Sequence, residues 1–167
     1  MSVELRPGYM YIFKARKPDR IFRFHKDFVK AGSTVLCVTR LHPDQLKEDF
    51  GISKEEVLWL SNSVGVRNVN PQNVGILTDS LIRFFENSPK AVIILDGLEY
   101  LVMQNDFDKV LRFVNYIYEA VSMNRGTLVT TIDPRAFSTR ELAFLEKNSV
   151  TMEEQDDISI AGYPASA

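Results

Sequence analysis

The strongest constraint on this chain is a set of apolar runs that do not alternate with polar residues. Ala91 to Leu101 reads AVIILDGLEYL, and Val92–Leu95 within it offers no position suited to water. Comparable runs stand at Tyr9–Phe13 (YMYIF), Thr34–Thr39 (TVLCVT), Val57–Leu60 (VLWL) and Thr127–Ile132 (TLVTTI), with a shorter one at Ser149–Met152. A strand with one wet face alternates, so most of these runs imply burial on both faces. Strands of that kind belong to a mainly parallel sheet covered by helices on each side.

The intervening segments supply those helices. Over Pro18–Lys30, residues Ile21, Phe22, Phe24, His25, Phe28 and Val29 share one arc of a helix, and Arg20, Arg23, Lys26, Asp27 and Lys30 fall opposite. After Asn70, read as an N-cap, and Pro71, read as the first helical residue, Val74, Leu77, Leu81, Ile82, Phe84 and Phe85 form an apolar side. HPDQLKEDFG makes a shorter helix, opened by Pro43 and closed by Gly51. From Asp106 to Met123, Phe107, Val110, Leu111, Val114, Ile117, Tyr118 and Val121 keep i, i+3, i+4 spacing, which leaves Phe113 and Tyr116 off the stripe. Ser138 and Glu141 have capping-box spacing before a last helix that turns Leu142 and Leu145 inward. The expected fold is α/β, a three-layer sandwich with a mainly parallel central sheet. Residues 1–154 read as one domain, and residues 155–167 as a tail that is weakly ordered or forms a late strand.

Composition narrows the function classes. The length of 167 residues suits one domain with a sizeable core, and a formal charge of −2 gives no electrostatic reason to expect nucleic acid. Cys37 is the only cysteine, so no internal disulfide forms, and no cysteine and histidine cluster offers a metal site. The N-terminal MSVELRPGYM lacks an apolar signal core, and no segment approaches the roughly 20 apolar residues that span a bilayer. The expectation is a cytoplasmic protein with no membrane span, no metal and no cofactor.

Asp96 and Glu99, at the end of the AVIIL run, look like the carboxylates of a nucleotide hydrolase. Such a machine also needs a loop GxxxxGK followed by Ser or Thr between its first strand and first helix, whose backbone N–H groups cradle the phosphates. The sequence there is FKARKPDRIF, with no glycine between Phe13 and Gly32, and Pro18 removes a donor. The phosphate loop is absent. The motifs AVIILDGLEYL, FDKVLRFVNYIYEAV, GTLVTTIDP and LAFLE, with CVTRLHP and VLWLS upstream, resemble an archaeal family of unknown function whose members occur alone or fused behind membrane-spanning or sensory modules. The resemblance covers about Pro7 to Glu154. More distantly, the order of elements resembles the cores of RecA-like and KaiC-like ATPases. That likeness implies a RecA-like fold without a phosphate loop, with Asp96 in the place of the metal-associated carboxylate.

Four residues gather as candidates at the carboxyl ends of the strands, where open parallel sheets place their sites: Arg40, Asp96, Glu99 and Asp133. They read either as a binding site or as a structural charge cluster in which Arg40 neutralises the half-buried carboxylates. Asp133 reads most simply as the N-cap of the last helix, Trp59 as core, Cys37 as buried and inert, His25 as a packed ring and His42 as a cap before Pro43. Neither histidine has a serine or cysteine partner at triad spacing, so no catalytic residue is assigned. Phe113 and Tyr116, with Ile158, Ile160 and Tyr163 as their alternative cover, are candidates for an exposed aromatic interface to a protein partner, a second copy of this chain among them. The preferred reading is a non-catalytic interaction or regulatory module on a degenerate nucleotide-hydrolase scaffold, in archaeal signalling as the family's fusions imply. The alternative is a ligand or nucleotide site, catalytic or not, built from Arg40, Asp96 and Glu99. A nucleic-acid adaptor acting through the basic first helix ranks third.

Overall fold

A computed structural model describes residues 1–162, and Tyr163 lies outside the described residues. Seven strands form one all-parallel sheet: β2 (Tyr9–Lys14), β3 (Thr34–Thr39), β4 (Val57–Leu60), β5 (Asn68–Val69), β6 (Ala91–Leu95), β7 (Thr127–Ile132) and β8 (Val150–Met152). Their order across the sheet is β5-β4-β3-β6-β7-β2-β8, which puts β3, β6 and β7 at its centre. The unalternated runs therefore sit where both faces are covered. A second, two-stranded parallel ribbon joins β1 (Ser2–Leu5) to β9 (Asp157–Ile160).

Helices cover each face. Ile93 and Leu95 of β6 pack with α3 (Val74–Asn87) and α5 (Phe107–Asn124), beside the shorter α4 (Leu98–Gln104) and α6 (Thr139–Glu146). Val92 and Ile94 face the other way, onto α1 (Asp19–Lys30), α2 (Pro43–Phe50) and the ribbon residues Leu5 and Ile160. His25 is buried on α1 and hydrogen-bonds the Glu56 carboxylate, while Val29 at the edge of the same arc is exposed. His42 caps α2 by accepting the Asp44 N–H at 3.0 Å, and Gly51 closes it with a left-handed φ of 69°. Ser138 and Glu141 form the expected capping box on α6.

Several local expectations are corrected. Helix α3 begins three residues later than Asn70-Pro71 suggests: Asn70 accepts the Gln72 N–H in its own turn at 2.9 Å, and Asn73 caps the helix by accepting the Ile76 N–H. Asp133 caps a 3-10 turn, Pro134–Ala136, and leaves the cap of α6 to Ser138. Trp59 is half-buried, with its indole N–H on the Arg40 carbonyl at 3.0 Å and its ring edge-on to His42. Phe113 is only 2% exposed and belongs to the core, whereas Tyr116 is 57% exposed. The reason is that α5 packs against α3 as well as the sheet, so its buried arc is rotated toward Phe113 and Ala120, leaving Leu111 and Tyr118 only partly buried. Phe113 and Tyr116 therefore do not form a paired exposed patch.

Candidate functional site

Strand register brings the central residues together. Val38 pairs with Leu95, so the next residues, Thr39 and Asp96, stand side by side at the carboxyl edge. The Thr39 hydroxyl donates to Asp96 Oδ2 at 2.9 Å and accepts the Leu41 N–H at 2.9 Å, and the Asp96 N–H continues the ladder to the Val38 carbonyl at 2.8 Å. Asp96 is 9% exposed. Burial pushes its carboxyl up to about 6; the Thr39 hydrogen bond opposes that shift, the Glu99 carboxyl adds to it, and Arg40 gives only a smaller opposing effect.

Gly97, at φ 116°, turns the chain directly from β6 into α4 and places Glu99 in the first helical turn. Glu99 Oε1 accepts the Asp133 N–H at 2.6 Å, which ties α4 to the end of β7. Burial raises the Glu99 carboxyl as well, against that hydrogen bond. The Asp133 side chain turns outward into a fork with Arg135, with the closest approach at 2.6 Å, and this pairing brings its carboxyl down to about 2.

Arg40 does not do what the sequence suggests. It is exposed, its guanidinium lies over the Tyr100 ring at 4.1 Å, and it makes no ion pair with Asp96 or Glu99. The side-chain partner of Asp96 is a hydroxyl that donates a hydrogen bond, not a cation that cancels its charge. Thr39 and Tyr100 are the two residues that sequence reasoning missed. Thr39 is the last residue of an apolar run one strand away, and only the strand pairing reveals its neighbour.

On the same carboxyl edge, two strands from β6, β2 passes to α1 through residues 15–18 alone. The Ala15 N–H bonds the Ile132 carbonyl at 2.9 Å, so this connection stays on the sheet edge. Arg20, in the first turn of α1, donates to the carbonyls of Glu154 and Asp156 at 2.5 and 2.6 Å and lies over the Phe13 ring at 4.6 Å. Asp19 precedes it and presents a carboxylate to the same helix N-terminus. Among the described residues, no group of three or more His, Cys, Asp or Glu is arranged to hold a metal ion. No helix among them is long and apolar enough to cross a membrane. The arrangement can hold or release a proton on Asp96 and Glu99, but it offers no cradle of backbone donors for phosphates.

The comparisons agree with this architecture. The chain is similar to a solved structure, the flagellar accessory protein FlaH from Methanocaldococcus jannaschii, at 15% identity and a TM-score of 0.59, over 89% of this chain and 72% of that one. At that identity the likeness establishes the fold, which is RecA-like. No curated protein matches the sequence. The family described as "Protein of unknown function (DUF835)" matches residues 14–148, most of the chain, and the protein belongs to that family.

Proposed function

We propose that this chain is a non-catalytic interaction or regulatory module that keeps a RecA-like scaffold without its phosphate site. The observation that carries this reading is the connection between β2 and α1. It is four residues long, free of glycine and closed by Pro18, and the helix that follows opens on Asp19 rather than on a lysine and hydroxyl pair. A nest for a triphosphate needs successive backbone N–H groups turned toward the anion, and Asp19 already supplies negative charge to that helix end. Asp96 fits the same reading, because its carboxylate is engaged by Thr39 and stands in no metal-binding group among the described residues. The partner is a protein, and a second copy of this chain is one candidate.

A thermal-shift screen with Mg-ATP, Mg-GTP and cyclic dinucleotides tests this, since any ligand of the native state raises its stability by mass action. The reading expects no shift. A second reading, a ligand site at the carboxyl edge using Arg40, Asp96 and Glu99, is favoured by one observation: both carboxyls are raised by burial and neither has a cationic partner. A saturable shift that disappears in Arg40→Ala, with the variant's own melting temperature unchanged, would select that second reading.

A further inference from the structure

The opposite, amino-terminal edge of the sheet holds a cavity of about 290 Å³ between the end of α1, the starts of β6 and β7, and the β1–β9 ribbon. Leu5, Phe28, Val92 and Ile160 give it apolar walls, and among the described residues no acidic side chain lines it. Two cations do: Lys90 and Arg125. Neither pairs with a carboxylate among the described residues.

These two are also the only described residues other than glycine with positive φ, 47° for Lys90 and 51° for Arg125. A left-handed backbone disfavours a side chain, and glycine is the usual residue at a left-handed helix end such as that of α5. The chain nevertheless places the two cations of this cavity at these positions. Each reaches over a glycine: a Cβ built on Gly32 would lie 3.6 Å from Lys90 Nζ, and one on Gly8 3.5 Å from the Arg125 guanidinium. Thr127 supplies a further polar group. It is only 4% exposed and lines the cavity.

We propose that this cavity binds a small organic anion, with its carboxylate or phosphate between Lys90 and Arg125 and its apolar body against Phe28, Val92 and Ile160. Two cations beside apolar walls are complementary to such a ligand, and the volume is close to the lower end of small-molecule pockets. The site is distinct from the carboxyl-edge residues and independent of the reading proposed above.

The experiment titrates the full chain with benzoate, its neutral isostere benzamide, and inorganic phosphate, following melting temperature and the amide NMR signals of Val92 and Thr127. Benzoate should raise the melting temperature and move both signals in a saturable way, and benzamide should not. Phosphate separates a site for the head group alone from one that also needs the apolar body; a response to phosphate equal to that of benzoate would overturn the amphipathic assignment. The double variant Lys90→Gly, Arg125→Gly suits the left-handed backbone, so it should fold with a melting temperature at or above that of the wild type while binding benzoate at least about tenfold more weakly. Equal responses to benzoate and benzamide, or undiminished binding in the double variant, would overturn the proposal. So would a full chain silent to every anion.

Discussion

Replacing Asp96 with asparagine should stabilise the protein near neutral pH and do nothing in acid. The side chain is almost fully buried, and in the folded state its carboxyl is raised from 3.8 to about 6. The folded state therefore holds this proton more tightly than the unfolded chain, so the contribution of this group to stability is greatest below 3.8, falls as pH rises toward about 6, and is flat beyond. The gap between the two values corresponds to about 3 kcal/mol of destabilisation by the ionised form. Asparagine keeps an oxygen for the Thr39 hydroxyl and carries no charge to desolvate. For a chain of this length, about 3 kcal/mol is worth roughly 6–12 °C in melting temperature. Thermal denaturation of both proteins from about pH 4 to about pH 8 reads the difference. The curves should meet at the acid end and separate through the middle of the range. A variant that is less stable at about pH 8, or an offset independent of pH, would refute the claim that burial without a cation governs Asp96.

Other perturbations test the packing and the connections. Glu99→Ala leaves the Asp133 N–H without its acceptor and should cost about 1–3 kcal/mol in chemical denaturation, whereas Glu99→Gln keeps the acceptor and should cost much less. Phe113→Ala should cost about 3–5 kcal/mol as a core truncation, while Tyr116→Ser stays within about 0.5 kcal/mol, and equal small effects would return Phe113 to the surface. Gly126→Ala would bring a methyl within 2.5 Å of the Phe85 ring and should destabilise by about 1–3 kcal/mol, read as a lower denaturation midpoint at unchanged slope.

The sheet was legible in the sequence because its central strands are buried on both faces and so lose their alternation. Where burial is one-sided, the signal fades: Ser2–Leu5 and Asp157–Ile160 pair only with each other, and each buries just its last residue, Leu5 or Ile160. β5 is two residues long, too short for any periodicity. Helix faces were read well for α1 and less well for α5, because a helix wedged between a sheet and another helix buries an arc that its own spacing does not specify. At the site, Asp96 and Glu99 stood out as carboxylates after an apolar run, but their partners did not. A half-buried carboxylate calls for a cation, and Arg40, just past the end of another central strand, is the candidate the sequence offers at the carboxyl edge. The fold uses the hydroxyl of Thr39 and a backbone N–H on Glu99 instead, and it sends Arg40 to the ring of Tyr100. Those choices depend on which strands are neighbours, which one chain's sequence does not state.

Titration calorimetry of Mg-ATP into the wild-type chain tests most directly the claim that the carboxyl edge of the sheet lacks a triphosphate site. The four-residue connection from Lys14 to Asp19, with no glycine and Pro18 before the helix, predicts no saturable, magnesium-dependent heat at millimolar nucleotide. Saturable, magnesium-dependent binding that Asp96→Asn abolishes would contradict the account, because it would show phosphates and metal held at the carboxyl edge without the loop that the chemistry requires.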